Sequence, residues 1–111
     1  MLDYVFVNYG LNGSYLVHKE AFIQAINIVF KKNKKILLDS EIEILFNNEN
    51  SNVIINASYL ILSESENFSQ ITNFLLNSIK EVVKFLIGVE PDNICLRYNG
   101  TKKNNLNYKK R

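Results

Sequence analysis

Between residues 40 and 98 the apolar positions of the chain change period twice. Ile42, Ile44 and Phe46 alternate with Glu41, Glu43 and Leu45, the period of two that marks a strand with one buried face. The polar run 47–52 predicts a turn, and the β-rich run 53–62 predicts a second strand. The period then becomes helical. Asn67 predicts an N-cap, with Gln70 three residues later as in a capping box. Phe68, Ile71, Leu75, Ile79, Val82 and Leu86 step along one face of a helix of about five turns, while Lys80, Glu81 and Lys84 face water. Gly88 suits the left-handed C′ position and Pro91 prevents the helix from resuming. Residues 94–98 predict a last strand. Thr72 and Asn73 are weak helix formers, so this helix depends on packing against the sheet.

The first third of the chain follows the same logic. Residues 4–7 and 14–17 are β-rich and flank a turn at 10–13, which suggests a hairpin. From Lys19 the helical period sets in, with Phe22, Ile26 and Val29 on one face and Ile23 and Phe30 beside it. Lys31, Lys32, Lys34 and Lys35 gather at its end, where the helix dipole favours cations, and Asn33 is expected to stop it in a left-handed conformation. Residues 36–38 read either as a connector or as the start of the next strand, with Asp39 and Ser40 able to break it. The resulting order, β-(β)-α-β-β-α-β, predicts an α+β fold: a small mixed β-sheet with two helices on one face. In the strand 53–62, Val53, Ile55, Ala57, Tyr59 and Ile61 share one side, and Ile54, Asn56, Ser58, Leu60 and Leu62 the other. Two helices cannot cover both sides. Ile54, Leu60 and Leu62 are therefore a candidate protein interface, unless the 4–7 strand or the C-terminal segment lies over them.

Composition bounds the rest. With 111 residues, 47% of them apolar and 22% charged, the chain is expected to form one ordinary globular domain. A single cysteine, Cys95, excludes an internal disulfide and gives no sign of an oxidising compartment. Lying between Ile94 and Leu96, it reads as a small buried hydrophobe. No run approaches the ~20 apolar residues of a membrane span, and Asp3 stands where a signal peptide carries bases, so the expected location is cytoplasmic. Charge is unevenly spread. Residues 1–96 hold seven lysines and eleven acids, whereas 97–111 hold six bases and no acid. The expected organisation is an acidic domain over 1–98 and a basic, disordered tail over 99–111.

Little in the chain suggests catalysis. The one histidine, His18, sits at a helix entrance, and with Cys95 as the only other soft ligand no zinc site of ordinary composition can form. Glu41 and Glu43 fit the solvated face of an amphipathic strand, and Glu64 and Glu66 precede a helix, where negative charge is favoured. Phosphate-loop, dinucleotide and EF-hand patterns are absent. The expectation is a non-enzyme with no cofactor, no metal and no small-molecule substrate. Nucleic acid is the competing partner. Lys102, Lys103, Lys109, Lys110 and Arg111, near Arg97, Tyr98 and Tyr108, combine bases with rings able to stack, and the same bases would attract an anionic lipid surface.

From about residue 9 to 100 the chain resembles the alkaline shock protein family of bacterial envelope-stress proteins. The resemblance lies in Gly13 followed by the short strand and helix entry Ser14-Tyr15-Leu16-Val17-His18-Lys19-Glu20, in the hairpin 41–62, in the helix 79–88 ending at Gly88, and in the alternating 93–100. It departs at Lys31-Lys32-Asn33-Lys34-Lys35, where members usually carry a glycine-containing segment. The resemblance implies a non-catalytic scaffold that self-associates, near the inner face of the membrane through a membrane-anchored partner protein, with a link to envelope or alkaline stress. It carries over no catalytic residues.

Overall fold

The computed structural model describes residues 3–8, 10–62 and 67–101. Strands β1 (Tyr4–Asn8) and β2 (Ser14–His18) form an antiparallel hairpin closed by one 3-10 turn, Gly10–Asn12. Helix α1 (Lys19–Lys32) leads to β3 (Ile36–Leu38), β4 (Glu43–Phe46) and β5 (Val53–Ile61). Helix α2 (Phe68–Ile87) and strand β6 (Asn93–Thr101) complete the α+β order. Among the described residues, no helix is long and apolar enough to cross a membrane.

The larger sheet is built around β5. One edge of β5 takes β6 in parallel, from Ile54 opposite Asn93 to Ile61 opposite Thr101. The other edge takes both β3 and β4, antiparallel and end to end. Residues 36–38 are thus the start of the strand. Between the pairs Leu38–Tyr59 and Glu43–Asn56, residues 39–42 oppose only residues 57–58. This is a bulge with two extra residues. An even insertion preserves the side-chain alternation, so Ile36, Ile42 and Ile44 all face the core.

The core lies between this sheet and the helices. Val53, Ile55, Ala57, Tyr59 and Ile61 are buried on one side of β5, joined by Phe22, Ile26, Val29 and Phe30 of α1 and by Ile71, Leu75, Ile79, Val83 and Ile87 of α2. Each such large side chain contributes roughly 1.5–3 kcal/mol by leaving water. The buried stripe of α2 advances in steps of four. Val82 and Leu86, expected within it, are half-buried at its side. The hairpin adds Val5 and Val17 to the same core. Its β1 strand pairs with β2 and not with the larger sheet. Tyr15 Oη donates to the Leu86 carbonyl at 2.8 Å, which ties the hairpin to the end of α2.

Local chemistry explains the boundaries. Asn67 caps α2, its Oδ1 accepting from the Gln70 amide at 3.0 Å, and Gly88 closes the helix at φ 84°, donating its N–H to the Lys84 carbonyl. Asn33 differs from expectation. It is extended (φ −102°) rather than left-handed. Its Oδ1 accepts the Lys35 amide at 3.0 Å, so the short polar side chain stops the helix by competing for backbone. The last strand also runs farther than expected, taking Asn99, Gly100 and Thr101 into β6 rather than into a tail.

Candidate interaction surfaces

Among the described residues, two surfaces have no covering layer, one on each side of the domain. The first is the outer face of the larger sheet. The structure places Ile54, Leu60 and Leu62 there, each half-buried. Leu45 pairs with Ile54 near one end of β5 and Leu37 with Leu60 near the other, and both partners are more than 40% exposed. The expected patch is therefore two apolar clusters with a polar middle, because Asn56 and Ser58 separate them along β5.

That polar middle contains a cavity of about 270 Å³. The row Glu43–Asn56–Cys95 crosses three strands, and Arg97 lies beside Ser58 in the next row. Ser40 and Glu41 of the bulge complete the wall. Asn56 Nδ2 donates to Glu43 Oε1 at 2.9 Å. Cys95 is exposed here, against the expectation that it is buried. The alternation of β6 turns Ile94 and Leu96 inward, so the residue between them must face out.

The second surface lies on the helices. A groove of about 340 Å³ runs between Ala25, Ile28 and Val29 of α1 and Val82, Phe85 and Leu86 of α2, with Lys32 and Glu81 as its charged members. Phe85 is 86% exposed, the most exposed large apolar residue of those described, and Ile28 is 52% exposed. Phe85 falls outside the apolar stripe expected for α2. Phe74, also exposed, stands eleven residues earlier, about three helical turns, and hence on the same face. That spacing of two aromatics on the watered side of a helix is the signal in the sequence that marks this surface.

The remaining site residues are dispersed. His18 is exposed and makes an edge-on ring contact with Tyr4, the centroids 6.1 Å apart. Among the described residues, no three of His, Cys, Asp and Glu group as metal ligands. Glu64 and Glu66 and the basic residues Lys102, Lys103, Lys109, Lys110 and Arg111 lie outside the described residues. Comparison with protein-family models, curated proteins and solved structures finds no match.

Proposed function

We propose that the chain is a non-catalytic protein-interaction module of the scaffold type, and that it associates with a second copy of itself through the groove between α1 and α2. The carrying observation is Phe85, an almost fully exposed ring beside an apolar groove. Covering such a ring is worth roughly 1.5–3 kcal/mol, and large aromatics of this kind anchor interfaces. The charges favour a second copy as the occupant. Lys32 is on α1 and Glu81 on α2, so a two-fold axis along the groove lays each α1 on the other copy's α2. Lys32 then meets Glu81 of the second copy twice, the self-complementarity that a two-fold contact requires. The similarity of residues 9–100 to the alkaline shock protein family supports the same reading, including its link to envelope or alkaline stress.

Sedimentation of the intact chain tests this reading. A concentration-dependent dimer is expected, and Phe85→Lys should abolish it. Lys32→Glu and Glu81→Lys should each weaken it by like-charge repulsion, yet an equimolar mixture of the two should pair, because both contacts are then opposite in sign. A chain that stays monomeric throughout sinks the self-association reading. A dimer indifferent to these changes would move the contact to Ile54, Leu60 and Leu62, where Leu60→Glu with Leu62→Glu decides.

A second reading, an RNA- or ribosome-associated module, is favoured by the exposed cluster Lys31, Lys32, Lys34 and Lys35 at the end of α1. It makes the C-terminal bases additional phosphate contacts.

A further inference from the structure

We infer that the open edge of β6 binds an extended segment of another protein as an added β-strand, in which an acidic residue opposite Arg97 is flanked by apolar residues opposite Leu96 and Tyr98. The edge is a different surface from the groove between the helices. The contact therefore goes beyond self-association and does not depend on it.

The two edges of the larger sheet differ. One is made of β3, with three residues, and β4, with four, and the bulge interrupts it. Short, broken edges of this kind resist pairing with another chain. β6 forms the other edge. It pairs with β5 from Asn93 to Tyr98 without a break, and no described strand pairs with its far side. Asp92 donates its N–H to the Val53 carbonyl at 2.9 Å. In a parallel pair, every second residue turns its N–H and C=O to the same neighbour, and the residues between turn theirs away. Asn93, Cys95 and Arg97 therefore present their backbone groups outward. Such a row of donors and acceptors is completed by another strand, which is how peptides are recognised by strand addition.

Side chains set the partner's chemistry. On the inner face, Tyr98 and Phe68 are both exposed, and their ring centroids lie 4.8 Å apart. Leu96, two residues earlier on the same face, is half-buried. Apolar residues of an added strand cover this rim of the core, with the two rings as anchors. On the outer face, Arg97 is exposed and forms no ion pair with another described residue. It is the one charged side chain of β6, so the position opposite it favours a carboxylate. A second copy of β6 suits the edge less well. Antiparallel pairing of all nine residues, 93 with 101, sets Arg97 directly against Arg97 of the other copy, and like charges so placed are destabilising.

Titration of the intact chain with the end-blocked peptide Thr-Val-Thr-Val-Glu-Val-Thr, followed by amide chemical shifts, tests this. The amides of Cys95 and Arg97 should shift and exchange more slowly with solvent, while those of Ile28 and Phe85 stay unchanged. The same peptide with Lys for Glu should bind about three- to tenfold more weakly. Arg97→Glu, at an exposed position, should reverse that preference. Cys95→Pro removes one outward N–H at an edge, where proline is tolerated, and should abolish binding of both peptides. Phe85→Lys should bind as the parent chain does, so loss of the groove contact and loss of the edge contact are read separately. Equal binding of the Glu and Lys peptides to the parent chain would overturn the assignment. So would full binding by Cys95→Pro, shifts confined to residues away from β6, or no binding at all.

Discussion

Asn50 holds Tyr4 from a left-handed turn. Its Nδ2 donates to the Tyr4 carbonyl at 2.7 Å, and its own carbonyl accepts the Phe6 amide at 2.8 Å. Asn50 is the one non-glycine residue with positive φ among those described, at 54°. Asparagine tolerates this conformation better than most residues, and here it joins the β4–β5 turn to the first hairpin. Asn50→Ala loses the side-chain bond and strains the backbone, so urea unfolding should show a loss of about 1–3 kcal/mol. Asn50→Gly relieves the strain and should lose less. Equal losses in the two variants would show that backbone conformation contributes nothing.

Tyr59 and Thr72 link the sheet to the weakest part of α2. Their hydroxyls lie 2.6 Å apart, and Tyr59 is 1% exposed. Thr72 costs the helix propensity, and this bond offsets the cost. Tyr59→Phe should destabilise the protein by about 0.5–1.5 kcal/mol, and Tyr59→Ala by about 3–5 kcal/mol through the cavity it leaves. Melting of the two variants beside the parent chain gives the comparison.

Cys95 should react with a thiol reagent in the folded protein, without denaturant, to one equivalent per chain. A thiol that reacts only after unfolding would reverse the facing assigned to β6, because residues on the two sides of a strand exchange when the alternation shifts by one.

Binding to single-stranded RNA separates the two functional readings. The comparison should be between the intact chain and one ending at Thr101, since Gly100 and Thr101 belong to β6. Under the interaction-module reading, any RNA binding seen at low salt disappears at physiological salt in both chains. Binding that persists in the intact chain and is lost in the shortened one would favour the RNA reading, with the salt slope falling by about 0.7 for each phosphate contact removed.

The elements were legible where local periodicity is strong. Ile42, Ile44 and Phe46 alternate, and Phe22, Ile26 and Val29 recur at helical spacing, so strand and helix follow from which side each residue must bury. Asn67 and Gly88 mark the ends of α2 for reasons confined to a few residues. Asn33 departs from expectation because two local devices, a left-handed stop and a side-chain turn, use the same residue type. Cys95 departs from it because apolar neighbours suggest burial, whereas a strand turns alternate residues to opposite faces.

By itself, the sequence determined the α+β order, the two helices and the inward faces of α1, β4 and β5, because these depend on contacts within a few residues along the chain. Only the tertiary structure decided that β3 and β4 share one edge of β5 with a two-residue bulge between them. That pairing joins segments far apart in sequence. It brings Glu41, Glu43, Ser58, Cys95 and Arg97 around one cavity, and the packing of α1 on α2 leaves Phe85 beside a groove. Periodicity specifies which way a residue faces, whereas register and packing specify what it faces.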